Sequence, residues 1–126
     1  MRPLRVMIVD DSGLTVKKMA KLLEELGHEV AAVATTGRQA VDDYPNIAPD
    51  MVAMDITMPE LNGIEATRLI MAADPVARVI IVTSHGQEQM VMDAIEAGAK
   101  GYILKPVKLD KLRDTLETVA AKYMPS

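Results

Sequence analysis

Residues 6–11 have the sequence Val-Met-Ile-Val-Asp-Asp, in which four apolar side chains are followed directly by two carboxylates. A short apolar run of this kind is typical of a strand that is buried on both faces. The next stretch, residues 14–26, carries apolar side chains at helical spacing, with polar residues between them. These apolar residues are Met19, Leu22, Leu23 and Leu26. Gly27 is the expected end of the helix, so the chain begins with a strand followed by a helix.

The same alternation of an apolar run and an amphipathic stretch continues along the whole chain. Capping-box pairs, in which a polar residue is followed three positions later by Glu or Gln, open the second and third helices. The second helix must end before Pro45 or Pro49, because proline disrupts a helix interior. The further predicted strands are residues 30–34, 51–54, 79–82 and 102–104. Of the further predicted helices, the second begins at Thr36, the third runs from Asn62 to about residue 73, the fourth covers residues 87–97 and the fifth covers residues 109–123.

Five strands that alternate with five helices predict an α/β fold with a parallel sheet. The open, doubly wound form is favoured, because a closed barrel of this type needs eight strands. We expect one domain over residues 1–126, with no output domain after the last helix.

The composition excludes several classes of protein. With no cysteine and only two histidines among 126 residues, the chain cannot form a disulfide framework or a thiolate zinc site. A net charge of −4 and three tyrosines as the only aromatic residues argue against binding to nucleic acid or to a membrane surface. No apolar run is long enough to span a bilayer, and no signal peptide is evident, so we expect a cytoplasmic protein.

Reactive or charged side chains stand where four of the strands end. Asp10 and Asp11 follow the first strand, Asp55 the third, Thr83 the fourth and Lys105 the fifth. In a parallel sheet these strand ends lie at one edge, which is where open α/β sheets bind ligands. Carboxylates without nearby Cys or His favour Mg²⁺, which keeps several waters and accepts phosphate oxygens. A carboxylate such as Asp55 can then act as the nucleophile of a phosphoryl transfer, with Lys105 and Thr83 stabilising the phosphoryl oxygens.

Simpler explanations exist for each of these residues taken alone. Asp10 and Asp11 could favour the positive start of the first helix. Lys105 could be a solvated strand-end lysine, and Thr83 a β-branched strand residue. Tyr102, which stands in the predicted fifth strand, could likewise be a static packing residue. The combination of three acids and one lysine at a common edge favours the metal site.

Several short motifs occur in a fixed order along the chain: Ile8-Val9-Asp10-Asp11-Ser12, Met54-Asp55-Ile56-Thr57-Met58-Pro59, Asn62-Gly63-Ile64-Glu65, Thr83-Ser84, Gly98-Ala99-Lys100-Gly101-Tyr102 and Lys105-Pro106. Together they resemble the receiver domain of bacterial response regulators, and the resemblance extends from residue 5 to about residue 123. The chain is most similar to chemotaxis regulators that consist of a single domain. The resemblance implies the flavodoxin-like strand order 2-1-3-4-5.

The resemblance also implies a role for each site residue. Asp55 would accept a phosphoryl group from a sensor histidine kinase. Mg²⁺ would be held by Asp11, Asp55 and the backbone carbonyl of Thr57, with Asp10 acting through a water. Lys105 would pair with a phosphoryl oxygen and would precede a cis peptide bond to Pro106. Thr83 would move to the phosphoryl group, and Tyr102 would swing inward behind it.

Two further positions, Thr57 and His85, would border the path of the water that hydrolyses the acyl phosphate. We expect them to set the lifetime of the phosphorylated state.

The implied function is a signalling switch and not an enzyme. Its fourth helix, fifth strand and fifth helix would bind a downstream target, which for a chemotaxis regulator would be a component of the flagellar motor switch. We expect a monomer when the chain is unphosphorylated. Two alternatives remain open: a single-domain phosphorelay intermediate, and a receiver-like interaction module that works without phosphorylation.

Two other classes fit the sequence less well. A flavin- or nucleotide-binding domain would need a donor-rich or glycine-rich turn where Asp10 and Asp11 stand. A phosphatase with an Asp nucleophile would usually need an acid where Thr57 stands, two residues after Asp55.

Overall fold

A computed structural model describes residues 2–125 as five strands that alternate with five helices. The strands are β1 (Arg5–Val9), β2 (Glu29–Ala34), β3 (Met51–Met54), β4 (Val79–Thr83) and β5 (Gly101–Leu104). The helices are α1 (Gly13–Glu25), α2 (Gly37–Ile47), α3 (Gly63–Ala73), α4 (Glu88–Ala97) and α5 (Leu109–Tyr123).

The strands form one sheet in the order β2-β1-β3-β4-β5, and every neighbouring pair is parallel. Two separate apolar cores cover the two faces of the sheet. On one face, side chains of α1 and α5 such as Leu23 and Leu116 pack against the strands. On the other face, side chains of α2, α3 and α4 such as Tyr44, Ile70 and Ala94 do so. The predicted doubly wound α/β fold and its strand order are therefore confirmed.

The predicted N-cap residues make their bonds, but the reciprocal bonds of the two capping boxes are replaced: the side chain of Gln39 accepts from the N–H of Thr35, and that of Glu65 accepts from Arg68. The side chain of Thr36 accepts a hydrogen bond from the backbone N–H of Gln39, and that of Asn62 accepts from Ile64 and Glu65. Each bond satisfies a backbone N–H that has no partner within the helix.

Helix α2 continues through Pro45 and ends at Ile47, so of the two predicted ends only the one before Pro49 is right. Pro45 lies in the last turn, where the missing N–H removes only one helical hydrogen bond. Two contacts hold this turn in place. The buried Tyr44 donates its hydroxyl to Asp74 at 2.8 Å, and the N–H of Ala48 bonds the Tyr44 carbonyl at 2.8 Å.

Several other boundaries differ from the prediction by one residue. β2 begins at Glu29 and β5 at Gly101, each one residue before the predicted start. Thr83 is the last residue of β4 and does not follow the strand, and α4 begins at Glu88, one residue after the predicted start. Among the described residues, no helix has both the length and the apolar character that crossing a membrane requires.

Candidate functional site

The backbone hydrogen bonds of the sheet continue one residue beyond the strands and fix the residues that follow them. The N–H of Asp10 donates to Ala34 at 3.0 Å, and the N–H of Asp55 donates to Val9 at 2.9 Å. The N–H of Lys105 donates to Thr83 at 2.8 Å. The backbones of these three residues are thus fixed by hydrogen bonds to the neighbouring strands.

Three carboxylates meet at this edge. One oxygen from each of Asp10, Asp11 and Asp55 lies within 4.8 Å of the others. Asp10 and Asp55 are buried, whereas Asp11 is exposed. The N–H of Ser12 donates to Oδ1 of Asp10 at 2.9 Å, which orients that carboxylate at the start of α1. Like charges at such distances repel unless a cation lies among them.

Lys105 supplies one positive charge to the cluster. Its Nζ lies 2.8 Å from Oδ2 of Asp10 and 3.5 Å from Oδ1 of Asp55. Burial raises the pKa of Asp55, and the neighbouring charge of Asp10 raises it further, against the attraction of Lys105. Burial works to lower the pKa of Lys105, but its bonds to the two carboxylates outweigh burial and raise that pKa. Lys105 is therefore held in its charged form.

The donor set fits a hard divalent cation. Three carboxylates and one ammonium leave a net charge of −2 at this edge, which a divalent ion would neutralise. The ligand atoms are all oxygen, and the exposure of Asp11 leaves room for the waters that Mg²⁺ retains. The acidic cluster is thus suited to bind Mg²⁺.

Thr83 ends β4, where its carbonyl accepts from the N–H of Lys105, and His85 follows two residues later. The side chain of Thr83 is fully buried, and its Oγ1 accepts a hydrogen bond of 3.3 Å from the N–H of His85. Thr57 is exposed in the loop after β3, and its Oγ1 shares a hydrogen bond of 3.2 Å with Nε2 of His85. The two residues that were expected to border the water path therefore touch each other.

Tyr102 is half-buried on β5, and its hydroxyl donates to the backbone carbonyl of His85. Burial raises the pKa of this phenol. The peptide bond between Lys105 and Pro106 is cis, as the resemblance implied.

Two residues that stand within the quoted motifs, and to which the sequence analysis gave no role, contribute to this site. Gly63 begins α3 so close to β3 that an added Cβ would lie 1.9 Å from the carbonyl oxygen of Asp55. Its N–H also donates to the Ile56 carbonyl at 2.8 Å. Ser12 both caps α1 and donates its N–H to Asp10. A glycine at the first position of a helix directly after a site loop was the available signal for the first of these.

Comparison with known proteins gives one family. The model of the response regulator receiver domain matches residues 6–117. Among curated proteins, the chain is 45% identical to the chemotaxis protein CheY of Thermotoga maritima over 116 residues, which are 92% of this chain and 97% of that protein. It is 44% identical to CheY of Bacillus subtilis over 112 residues, with 89% of this chain and 93% of that protein covered.

One solved structure to which the chain is similar is a complex of CheX, CheY, BeF₃ and Mg²⁺ from Borrelia burgdorferi. The matched chain has a TM-score of 0.90 and 39% identity, with 93% of this chain and 89% of that chain covered. The response regulator domain of Thermotoga maritima CheB has a TM-score of 0.84 and 32% identity, with 99% of each chain covered.

Proposed function

Since the chain belongs to the response regulator receiver family, whose members are phosphorylation-dependent regulators and not classical enzymes, we propose that Asp55 accepts a phosphoryl group from a sensor histidine kinase. The observation that carries this proposal is the cluster of Asp10, Asp11 and Asp55, with the ammonium of Lys105 within 3.5 Å of Asp55. Here a nucleophilic carboxylate, a candidate Mg²⁺ site and a fixed cation lie side by side.

The reaction is a phosphoryl transfer to a side-chain carboxylate. The P–O bond to a carboxylate oxygen of Asp55 forms as the P–N bond of a phosphohistidine breaks, and the electron pair of that bond returns to the imidazole. The transition state is loose and spreads negative charge over the equatorial oxygens. Lys105 stabilises one of these oxygens, and the Thr83 hydroxyl donates to another.

The metal would be held by Asp11, Asp55 and the backbone carbonyl of Thr57, with Asp10 acting through a water. When bound, Mg²⁺ neutralises charge on the transferred group. Two observations support this assignment: the net negative charge of the acidic cluster, and the similarity of this chain to the CheY of the Borrelia complex, which was solved with Mg²⁺.

The phosphorylated site then acts on a distant surface through Thr83 and Tyr102. When the Thr83 hydroxyl bonds the phosphoryl group, the end of β4 moves toward that group. Tyr102 moves with it, because His85 bonds Thr83 through its N–H and Tyr102 through its carbonyl. Such a switch needs two conformations that differ by only a few kcal/mol, so that the phosphoryl contacts can select one.

The downstream target would bind the surface formed by α4, β5 and α5. This target would be a component of the flagellar motor switch. Exposed apolar side chains on these three elements support the assignment of the surface: Met92, Ile95, Leu104 and Leu109. The similar proteins are named as chemotaxis proteins, which supports a role in chemotaxis. It also supports the cytoplasm as the compartment in which the chain meets its kinase and its target.

The decisive experiment incubates the protein with Mg²⁺ and a small acyl phosphate and follows its mass. One phosphoryl group should be added, stable to acid and labile to base, and Asp55→Asn should abolish it. Asp42→Asn makes the same change at an exposed aspartate of α2 that is not part of the acidic cluster. It is the matched control and should be phosphorylated normally. Phosphorylation of Asp55→Asn to the same extent would contradict the proposal.

Transfer onward separates the two possible roles of the phosphorylated chain. A switch that acts on a target by binding keeps its phosphoryl group until water removes it. A phosphorelay intermediate passes the group to a histidine of another protein, which a mass increase in that second protein would show.

The lifetime of the acyl phosphate would be set by Thr57 and His85, whose side chains meet at 3.2 Å beside the acidic cluster. Their substitution, as in Thr57→Asn and His85→Glu, should change the rate of dephosphorylation measured by loss of the added mass. Unchanged rates in both variants would contradict this role.

A further inference from the structure

His85 is bonded to its surroundings in three directions. Its N–H donates to Oγ1 of Thr83, its carbonyl accepts from the hydroxyl of Tyr102, and its Nε2 shares a hydrogen bond with Oγ1 of Thr57. The first two bonds are made by the backbone and involve the two proposed switch residues. The third is made by the side chain and reaches a different loop. His85 therefore stands between the switch residues and the loop that follows the phosphoacceptor.

The bond between Thr57 and His85, called the bridge below, joins the β3–α3 loop (residues 55–62) to the β4–α4 loop (residues 84–87). Its partners are 28 residues apart in sequence. Within residues 2–125 it is the one side-chain hydrogen bond between these two loops. Since the β3–α3 loop begins with Asp55 itself, the bridge ties the β4–α4 loop directly to the phosphoacceptor segment.

We propose that Thr57 and His85 are positioning residues, whose bridge holds the β4–α4 loop where Tyr102 can bond the His85 carbonyl. This inference deepens the proposed switch and rests on it. The bridge biases Tyr102 toward the bonded position before any phosphoryl group arrives, so that less of the phosphoryl binding energy is needed to complete the switch.

The geometry of a single residue is the physical basis of this coupling. The imidazole, the N–H and the carbonyl of His85 move together when its backbone dihedrals change. A side chain anchored at Nε2 by Thr57 restricts those dihedrals, and so restricts the position of the carbonyl that Tyr102 needs. Thr83 is affected through the same residue, because its Oγ1 takes the His85 N–H and its own hydroxyl hydrogen stays available for another acceptor.

The expected effect is modest because Thr57 is exposed and water competes for the bond. A hydrogen bond between neutral groups contributes about 0.5–1.5 kcal/mol, which corresponds to a change of roughly two- to tenfold in an equilibrium constant. Loss of the bridge should shift the ratio of bonded to released Tyr102 by this factor.

The test labels the full chain with 3-fluorotyrosine and records ¹⁹F spectra with EDTA, and with Mg²⁺ plus beryllofluoride. The chain has three tyrosines, so three signals are expected, and Tyr102→Phe identifies the relevant one. Thr57→Val removes the hydroxyl and keeps the shape of the side chain. It should move the Tyr102 signal toward the released position in EDTA and raise the beryllofluoride concentration needed for half-maximal response by two- to tenfold.

Thr57→Ser keeps the hydroxyl and loses only the methyl group, so the Tyr102 signal should stay at its wild-type position. If packing of the methyl group and not the hydrogen bond held the loop, this variant would move the signal. His85→Phe should have an effect on that signal as large as that of Thr57→Val, and the double variant should add nothing, because each change removes the same bond. A Tyr102 signal in Thr57→Val that matches the wild type under both conditions would overturn the proposal.

Failure of the proposed function gives a different result. If the wild-type Tyr102 signal ignores Mg²⁺ and beryllofluoride while Thr57→Val still moves it in EDTA, the bridge is supported and the phosphorylation switch is contradicted. If the wild type responds and Thr57→Val behaves identically, the switch is supported and the bridge is overturned.

Discussion

Nζ of Lys105 lies closer to Asp10, at 2.8 Å, than to the proposed phosphoacceptor Asp55, at 3.5 Å. Without a metal, the lysine therefore neutralises the neighbouring carboxylate first and leaves Asp55 with a weaker ion pair. Lys105 and a divalent cation compete for the same negative charge. The site is thus balanced between an internal cation and an external one.

Removal of this competing charge should strengthen metal binding. We expect Lys105→Met to bind Mg²⁺ roughly tenfold more tightly than the wild type, because a unit charge about 4 Å away costs a cation several kcal/mol before screening by water and salt. Titration calorimetry measures the affinity. Lys105→Arg keeps the charge and should stay near the wild-type value, as should Lys111→Met, which removes an exposed lysine of α5. Weaker Mg²⁺ binding by Lys105→Met would contradict the competition.

Asp55, the proposed phosphoacceptor, should lower the stability of the metal-free fold. Burial and the charge of Asp10 raise the pKa of Asp55, so its ionised form is less favoured in the folded chain than in the unfolded one. At neutral pH, Asp55→Asn removes this penalty. We expect it to raise the free energy of unfolding in EDTA by an amount on the order of 1 kcal/mol, measured by urea denaturation.

Saturating Mg²⁺ should reverse the order of these two proteins, because a ligand that binds only the folded state stabilises the protein that binds it better. The wild type, with its full set of carboxylates, should then be the more stable. Asp42→Asn on α2 should show neither the gain in EDTA nor the reversal. A variant Asp55→Asn that is less stable than the wild type in EDTA would show that the carboxylate is not strained.

The close approach of α3 to β3 should make Gly63 indispensable. In Gly63→Ala the new Cβ would lie 1.9 Å from the Asp55 carbonyl oxygen, so the backbone at Asp55 must move. We expect a loss of about 3 kcal/mol in the free energy of unfolding, together with slower phosphorylation by acyl phosphate.

Gly13→Ala is the matched control, since Gly13 is also the first residue of a helix and its added Cβ meets nothing within 4 Å. It should stabilise the fold by about 0.4–1 kcal/mol, because alanine has less freedom to lose on folding. Equal stabilities of the two variants would mean that the approach to Asp55 is not tight.

The meeting of Asp10, Asp55 and Lys105 could be predicted from the sequence, because each follows a short apolar run and parallel strands end at one edge. The strand order needed the resemblance, because alternating elements are compatible with several orders. The sequence also left open whether the second helix ends before Pro45 or before Pro49. The tolerance of Pro45 depends on the tertiary bond between Tyr44 and Asp74, which no local pattern shows.

Contacts that depend on rotamers and on fractions of an ångström could not be predicted from the sequence. The preference of Lys105 for Asp10 over Asp55 rests on a difference of 0.7 Å between 3.5 Å and 2.8 Å. The bond of Thr57 to His85 joins loops that are distant in sequence, and the sequence pointed to both residues for a different reason, their place beside the water path. The sequence thus predicted which residues assemble, and the structure was needed for the bonds among them.

The bond between Leu4 and His28, where β1 begins, should make the fold sensitive to mild acid. The N–H of the buried Leu4 donates to Nδ1 of His28 at 3.0 Å, which requires that nitrogen to be unprotonated. Burial lowers the pKa of His28, so the unfolded chain binds a proton first as the pH falls through about 6.5, and stability is lost from that point downward. We expect His28→Asn, whose amide oxygen can still accept the bond, to lack this loss. Urea denaturation at neutral and mildly acidic pH should show the difference, which stays below about 1 kcal/mol because solvent screens a side chain that is only partly buried. Parallel pH profiles for the two proteins would rule the effect out.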